Sequence, residues 1–559
     1  MARQLTTLPI DCLYEISEYL EKDIPTIHSC LLANHLLCEI FVRILWRDIN
    51  NIVDNIYHTS KSSSVRLSFF NTLIACLPNE SKEHLYKNEI FIPTPSLKSP
   101  FFNYATFCKV LSIPGIKSIV YDSLKILSIQ YSLHVPLNYL VINEIVKMFV
   151  NQASLKVFTY YNQVNNFNNL SFPCFPGMRN LSKLYCDSNL PSDFCYQLSQ
   201  TCHNIQSISI LFNDNNNASN ELKKLIFLQN NLKSLTLRVC NYTGWVNIIP
   251  TLTKHSNIMN ILTRLHLYCN SDYVDIPFSF IELFKNLQEV IFSFFSSDFR
   301  PYINVRDFEK LQYVNFPKLQ ILKIPYQCPK PEYLMKFLEI NGKKLNKLYI
   351  SEGISKPILK SDLNNDLNLS IANFCLNLKK LIIRINDDEI DMLKSIFISC
   401  QYLKFIKILC EAKCMSETIL EIVANYSPKD FCELTLYNSK LDFIHPKNLE
   451  SFFISWKNRK SVKLLIMISN EAIDEYYEVY NNEYYKNIVY DIINNCKHEK
   501  NDGDYENYEN EYIDYKNYED CCDFIYHQNM EIIEKYENLG IIRFKSKVVY
   551  IKEEEIEFE

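Results

Sequence analysis

The 559-residue chain has only seven glycines. The closest two, Gly342 and Gly353, are separated in sequence by eleven positions, so no short loop can place several glycine backbones around a phosphate. This scarcity excludes P-loop, dinucleotide-fold and kinase-type nucleotide sites. Long apolar runs are missing too, and none reaches the roughly 18 residues that cross a bilayer. Asp11 and Glu15 interrupt the stretch where a signal peptide has its apolar centre. We expect a soluble intracellular protein, cytoplasmic or nuclear.

Common catalytic and metal-binding motifs are absent as well. The chain has no Gly-x-Ser-x-Gly, no His-Glu-x-x-His and no carboxylate pair tied to a recognisable fold. Its 20 cysteines are dispersed, and the nearest approaches to a zinc pattern, Cys410 with Cys414 and Cys496 with His498, lack a second pair. We therefore predict a non-enzymatic protein with reduced thiols, no cofactor and no metal.

Charge is distributed unevenly along the chain. Residues 471–559 hold 24 acidic against 9 basic residues, which leaves 40 acidic and 49 basic residues to residues 1–470. With 47% hydrophobic residues the chain can bury a large core. The composition thus predicts a folded, mildly basic body with an acidic C-terminal region, 471–559, in which amphipathic helices and a short strand cap the preceding structure.

The first 50 residues have the apolar spacing of three short helices. Pro9 suits a first helical turn, and the later apolar positions fall three or four residues apart. The motifs are Leu8-Pro9, Leu13, Glu15-Ile16, Tyr19-Leu20, Ser29-Cys30-Leu31-Leu32, Cys38-Glu39 and Ile44-Leu45-Trp46. Segment 5–49 resembles an F-box, with Leu37 where that family commonly has tryptophan. An ordinary helical hairpin that opens a larger domain is the alternative. Residues 50–150 are interpreted as a helical linker.

From residue 155 an apolar pattern repeats at intervals of 24–33 residues. An apolar residue is followed by others three and five positions later, the spacing of a short strand with one buried face. The pattern starts at Leu155, Leu181, Ile205, Leu232, Leu262, Leu287, Leu319, Leu345, Leu378, Leu403 and Phe431, with a less regular copy at Leu449. Such units cannot bury their apolar faces singly, so they must stack. A closed or doubly wound sheet of βα units is the alternative.

The eighth position after the start is asparagine or cysteine in five copies: Asn189, Asn213, Cys240, Asn270 and Asn386. Segment 151–470 therefore resembles leucine-rich repeats, in which a buried amide at this position satisfies backbone groups. The fold expected is α/β: a three-helix F-box, then a leucine-rich-repeat solenoid of horseshoe shape, then a helical, acidic C-terminal cap. Cys202, Cys375 and Cys400, each three residues before a start, are predicted to be buried.

Strand side chains that point away from the buried leucines form the predicted concave face. There, bases outnumber acids, and aromatic residues lie among them, a composition that favours an acidic or phosphorylated protein target. The predicted target-binding residues are Arg238, Arg264, His266, Tyr268, Lys323, Lys347, Tyr349, Lys380, Arg384 and Lys407. The charge excess is too dilute for a dedicated nucleic-acid binder, and ordinary solvated strand positions are the plain alternative.

An F-box joined to leucine-rich repeats resembles the substrate receptors of cullin–RING ubiquitin ligases. The resemblance implies an adaptor-binding surface formed by Leu8, Pro9, Leu13, Ile16, Leu20 and Leu31. It also implies partnership with the ligase adaptor and cullin scaffold, and repeats that hold a target while partners transfer ubiquitin. A repeat scaffold that binds a protein without any ligase is the competing function.

Overall fold

A computed structural model describes most of the chain. The described residues are 9–21, 23–49, 52, 62–92, 100–127, 135–161, 176–212, 218–239, 247–254, 256–270, 278–295, 308–325, 328–350, 364–385, 389–410, 416–437, 444–458, 464–471 and 515–549. They form an α/β structure of parallel strands and intervening helices, in two compact units, Met1–Thr263 and Arg264–Glu559. Within the described ranges, no helix is both long enough and apolar enough to cross a membrane.

Three helices open the first unit: α1 (Ile10–Tyr19), α2 (Ile24–Ala33) and α3 (His35–Leu45), together called the N-terminal module. Asp23 caps α2 by accepting the Thr26 N–H at 3.1 Å, and Asn34 caps α3 by accepting the Leu37 N–H at 2.9 Å. The module's own core consists of the buried side chains of Ile27, Ile40, Phe41 and Ile44.

The rest of the first unit alternates helices with five parallel strands among its described residues. Its elements are α4 (Ser62–Cys76), α5 (Asn79–Lys87), β1 (Val110–Ser112), α6 (Ile113–Ile126), α7 (Val135–Gln152), β2 (Val157–Tyr160), β3 (Lys183–Asp187), α8 (Ser192–Thr201), β4 (Ser207–Phe212), α9 (Asn220–Phe227), β5 (Ser234–Val239), α10 (Ile249–Lys254) and α11 (Ser256–Ile261). Each strand from β1 to β5 pairs with the next in chain order.

The second unit contains nine parallel strands among its described residues, again paired in chain order. Its elements are β6 (Arg264–Asn270), β7 (Glu289–Phe295), α12 (Phe308–Leu311), β8 (Ile321–Ile324), α13 (Pro331–Asn341), β9 (Lys347–Ile350), α14 (Asn364–Phe374), β10 (Lys380–Ile385), α15 (Ile390–Ser399), β11 (Phe405–Cys410), α16 (Ser416–Tyr426), β12 (Glu433–Tyr437), α17 (Pro446–Lys457), β13 (Leu464–Glu471), α18 (Tyr515–Asn538) and β14 (Ile542–Val549). Gly540 turns the chain from α18 into β14 at φ 71°, which favours glycine.

One backbone arrangement repeats from strand to strand. In eight of the repeats, the carbonyl of the residue after the start accepts two consecutive N–H groups of the following repeat. Lys156, for example, accepts from Ser182 at 2.9 Å and from Lys183 at 3.0 Å. The apolar residues three and five positions after each start are buried, as at Leu235 and Leu237. The predicted strand pattern therefore corresponds to strands β2–β12, and each begins two residues after its start.

Strand β1 lies inside the stretch interpreted as a helical linker. Cys108, Leu111 and Ile113 have the spacing of the repeat and are buried. The carbonyl of Lys109 accepts the N–H groups of Lys156 at 2.7 Å and Val157 at 3.0 Å, as in the later repeats. Helices fill most of the remaining described part of 50–150, but the paired strands begin earlier than residue 151.

The copy predicted at Leu449 is wrong. Leu449 lies in α17, whose buried residues Leu449, Phe452, Phe453 and Trp456 follow helical spacing. The next strand, β13, begins later, with Leu465 opposite Glu433.

The described part of the C-terminal region continues the same architecture. Helix α18 packs on α17, where Asn529 donates to the Ile444 carbonyl at 2.8 Å and the rings of Phe453 and Tyr536 lie 5.0 Å apart. Strand β14, which falls in the predicted strand, pairs with β13. Of the amphipathic helices predicted in residues 471–559, the apolar positions around Tyr476–Tyr484 and around Tyr505–Tyr512 lie outside the described residues.

Buried amides satisfy backbone groups between repeats, although Asn189, the predicted amide whose side chain is described, is not one of them. Asn189 is exposed, and the other four predicted side chains lie outside the described ones. Gln229 has this role instead: it accepts the Ile205 N–H at 2.9 Å and donates to the carbonyls of Cys202 at 2.8 Å and Leu225 at 2.7 Å.

Asn341 makes the equivalent contacts in the second unit, with the Phe316 N–H and the Val314 carbonyl at 2.9 Å each and the Phe337 carbonyl at 3.2 Å. Both amides are at the end of a helix, shortly before a repeat start. Cys202, Cys375 and Cys400 occupy the same region and are buried, as predicted.

Candidate functional site

Several large apolar side chains of the N-terminal module are exposed and do not belong to the module's own core. Ile16 is 44% exposed, and Pro9 is also exposed, so these two predicted adaptor-binding residues are accessible. Other exposed apolar residues, which the prediction omitted, lie on α1, α2 and α3. They are Ile10 at 47%, Tyr19 at 87%, Leu32 at 76% and Leu36 at 41%. We call Pro9, Ile10, Ile16, Tyr19, Leu32 and Leu36 the apolar module surface.

The other predicted adaptor-binding residues are not fully available. Leu13, Leu20 and Leu31 are partly buried because they pack on the module's own core. Leu37, at the position where F-box proteins commonly have tryptophan, packs on the same core. Leu8 lies outside the described residues. Helical spacing alone does not distinguish a residue that packs internally from one that faces a partner.

Arg47 connects this module to the strands. Its guanidinium forms a bidentate ion pair with Glu18 of α1, in which Arg47 Nη2 lies 2.6 Å from Glu18 Oε1. Arg47 Nη1 also lies 3.4 Å from Glu21 Oε1. The Arg47 pairing holds the pKa of Glu18 below its usual value, although burial opposes the effect. The Arg47 carbonyl accepts the N–H groups of Lys109 at 2.8 Å and Val110 at 3.0 Å, as the equivalent carbonyls do between repeats.

The strand side chains opposite the buried leucines form a second candidate surface, called the open strand face of each unit. In the first unit it is mainly uncharged and hydroxyl-rich around the half-buried Arg238. Burial raises the pKa of Tyr161 to about 12, while Arg238 and a hydrogen bond with Ser209 act in the opposite direction. Asp187 is buried at the end of β3.

The open strand face of the second unit consists of ordered rows. Strand register places Arg264, Glu289, Ile321, Lys347, Lys380, Phe405, Glu433, Leu465 and Arg543 in a first row. The second row is His266, Ile291, Lys323, Tyr349, Ile382, Lys407, Thr435, Met467 and Lys545. Nine of the ten predicted target-binding residues belong to this unit, and all nine lie on its open strand face.

Glu289 pairs with both cations at the beginning of these rows and offsets one of their two charges. Its carboxylate lies 3.3 Å from Arg264 Nε and 2.9 Å from Lys323 Nζ. The Lys323 side chain is only 9% exposed, so this predicted target-binding residue is an internal partner of Glu289. Beside them, His266 Nε2 lies 2.8 Å from Ser293 Oγ, where either atom can donate.

Positive charge is more accessible further along the rows. Lys380 is exposed, and its ammonium lies 5.6 Å from the Phe405 ring centroid. The remaining predicted residues, Tyr268, Lys347, Tyr349, Arg384 and Lys407, are half-buried. Strand β14 adds two exposed bases that the prediction missed, Arg543 and Lys545.

These surfaces contain no arrangement of groups that resembles a metal site. Within the described ranges, no cluster of three histidine, cysteine or acidic side chains could hold a metal ion. The two candidate surfaces differ in character: the surface of the N-terminal module is apolar, and the open strand face of the second unit is charged and partly aromatic.

Comparison with known proteins gives only distant structural similarity. No protein-family model matches the chain, and no curated protein matches it. A crystal structure of the yeast Rad7–Elc1 complex aligns with 14% identity and a TM-score of 0.33, over 56% of this chain and 73% of that one. The leucine-rich repeat-containing protein LegL7 from Legionella pneumophila aligns with 13% identity and a TM-score of 0.32, over 60% of this chain and 96% of that one. Similarity at this level identifies neither a family nor a partner.

Proposed function

We propose that this chain is the substrate-recognition subunit of a cullin–RING ubiquitin ligase. On this proposal the N-terminal module is an F-box that binds the ligase adaptor, the strands and helices after it are a leucine-rich-repeat solenoid that binds a target protein, and α18 with β14 forms its cap. Ubiquitin transfer is then performed by partner proteins, and this chain contributes proximity rather than a reacting group.

The apolar module surface is the observation that carries the proposal. A bundle of three short helices can bury few side chains by itself, and such modules commonly gain stability from a partner. Among the residues described up to Ala33, four large apolar side chains are at least 44% exposed: Ile10, Ile16, Tyr19 and Leu32. Several large exposed apolar side chains on so small a module favour a protein-interaction site.

The test is a binding measurement between the full chain and a purified ligase adaptor. The double variant Ile16→Asp with Leu32→Asp should weaken binding by at least tenfold, because burying one such side chain contributes about 1.5 to 3 kcal/mol. Ile398→Asp is the matched control, since Ile398 is 55% exposed on α15 and should leave adaptor binding unchanged. Equal binding of the double variant and the wild type would contradict the proposed surface.

A repeat scaffold without a ligase is the second candidate. The bonds from Lys109 and Val110 to the Arg47 carbonyl favour it, because they join the N-terminal module to β1 as one repeat joins the next. A module that only caps the strands would need just such a junction. Failure of the wild-type chain to bind any ligase adaptor would support this candidate.

A further inference from the structure

Two lysines stand directly opposite each other on the open strand face of the second unit. Lys347 of β9 and Lys380 of β10 are register partners in the first row. Like charges opposite each other on neighbouring strands destabilise a sheet. Among the residues that the structure describes, neither ammonium has a carboxylate within salt-bridge distance. This arrangement differs from that of Arg264 and Lys323, whose charges Glu289 compensates.

The strand side chains beside the two lysines are apolar. Ile382 and Phe405 belong to the same face but are only 7% and 9% exposed, and the Lys380 ammonium lies over the Phe405 ring. Lysine stems can lie along apolar side chains and keep their charged ends in water. The rows therefore present solvent-exposed ammonium groups beside apolar side chains.

The charged row has the length of a short extended peptide. From Lys347 on β9 to Arg543 on β14 the first row crosses five strand spacings, or about 24 Å. An extended chain of about seven residues covers this distance. At its far end Arg543 and Lys545 are exposed, and Glu433 lies between them and Lys380.

A nucleic acid fits this row less well than a peptide. A phosphate-backbone binder needs a continuous series of cations, whereas Phe405, Glu433 and Leu465 interrupt the row between Lys380 and Arg543. The two opposed groups are also lysines, which act as point charges, whereas phosphate groups are favoured by the paired donors of arginine. A peptide whose carboxylates are separated by apolar residues matches the row better, because other side chains also separate the bases Lys380 and Arg543 of the row.

We propose that the open strand face between β9 and β14 binds an extended segment of a partner protein whose Asp or Glu residues are separated by apolar residues, with Lys347 and Lys380 as its main charged contacts. The inference rests on the proposed function to the extent that this partner is the ligase target. It equally describes the partner of a scaffold.

Fluorescence anisotropy tests the inference with the full chain and a labelled seven-residue peptide that has glutamates towards its two ends and apolar residues between them, called the glutamate peptide. Lys347→Glu with Lys380→Glu should weaken binding by at least tenfold, since each charged contact is worth more than a neutral hydrogen bond. Lys429→Glu with Lys457→Glu changes the net charge equally at exposed positions outside the strands and should change binding by less than twofold. Equal losses in both double variants would overturn the proposal.

A second double variant distinguishes a loss of binding from a loss of folding. Lys347→Met with Lys380→Met removes the opposed charges, so the melting temperature should stay the same or rise while peptide binding falls. A fall in melting temperature with unchanged binding would show that the two lysines are structural and would also overturn the inference. Tighter, lysine-dependent binding of a seven-nucleotide oligothymidylate or a phosphoserine peptide would assign the surface to that ligand instead.

The outcomes separate this inference from the ligase proposal. Ile16→Asp with Leu32→Asp should lose the adaptor and keep the glutamate peptide. A wild-type chain that binds the peptide but no adaptor contradicts only the ligase proposal. A chain that binds the adaptor but no peptide contradicts only the inference made here.

Discussion

Glu289 offers the sharpest test of how charge is balanced on the open strand face. Its carboxylate compensates Arg264, which is 36% exposed, and Lys323, which is 9% exposed. Glu289→Gln keeps the shape of the side chain and removes the charge. Breaking a fully buried ion pair costs about 3 to 5 kcal/mol, because one charge stays buried without compensation. The partial exposure of Arg264 and the remaining amide acceptor reduce the expected loss here to about 2 to 3 kcal/mol.

Native-state hydrogen exchange measures this loss where it occurs. A loss of 2 to 3 kcal/mol corresponds to roughly 30- to 150-fold faster exchange in peptides from β7 and β8, if the opening of these strands is local. Glu309→Gln is the control, since Glu309 is exposed on α12 in the same unit. Adding Lys323→Met to Glu289→Gln should restore most of the protection, because an apolar side chain can replace a buried charge without penalty.

Two results would refute this reasoning. One is a change in β7 and β8 exchange below about threefold in Glu289→Gln, which would mean that Lys323 does not depend on the carboxylate. The other is a double variant less stable than Glu289→Gln alone. Binding of the glutamate peptide gives an independent readout: Glu289→Gln makes the face more positive, so affinity should not fall.

Three further predictions concern stability and reactivity. Asn341→Leu removes three buried hydrogen bonds and should lower the free energy of unfolding of the second unit by about 3 kcal/mol, as measured by hydrogen exchange of α13; an unchanged value would contradict the role assigned to this amide. Because the folded-state pKa of Glu18 lies below its usual 4.5, its pairing with Arg47 stabilises the fold at neutral pH and loses that effect as the pH falls through the folded-state pKa. Glu18→Gln should therefore lower the melting temperature at pH 7, and its effect should diminish as the pH falls below 4.5; an effect of constant size over that range would refute the pairing. Iodoacetamide with peptide mapping should alkylate the exposed Cys12 quickly and Cys400, whose pKa burial raises to about 12, only after denaturation; rapid labelling of both would show that Cys400 is accessible.

The strands could be predicted from the sequence wherever the repeat start and both following apolar residues are present. Leu232, Leu235 and Leu237 show why: a spacing of two between the last residues can bury one face only in a strand. Strand β14 has Ile541 at the position of the repeat start and Phe544 three residues later. Five residues after the start, however, it has Ser546 where the other repeats have an apolar residue. Alternation in the sequence revealed that strand, whereas its place in the repeat series became evident only from its pairing with β13.

The candidate surfaces were harder to predict because they depend on neighbours that are distant in sequence. Leu31 and Leu32 are adjacent and chemically identical, yet Leu31 packs on the module's core while Leu32 is 76% exposed. Which leucine is available to a partner depends on where α3 crosses α2, and helical spacing within α2 does not contain that information.

The charge that each lysine of the open strand face offers to a partner also depends on neighbours that are distant in sequence. Lys323, Lys347 and Lys380 were equivalent in the sequence, since each is at a position opposite the buried leucines. Register gives them different roles, because Lys323 lies next to the carboxylate of Glu289, whereas Lys347 and Lys380 face each other. A count of bases over such positions therefore overstates the charge available to a partner. Binding strength should depend on the few register positions where positive charges adjoin without a carboxylate in salt-bridge contact, so exchanging Lys323 for glutamine should weaken peptide binding far less than the same exchange at Lys347 or Lys380.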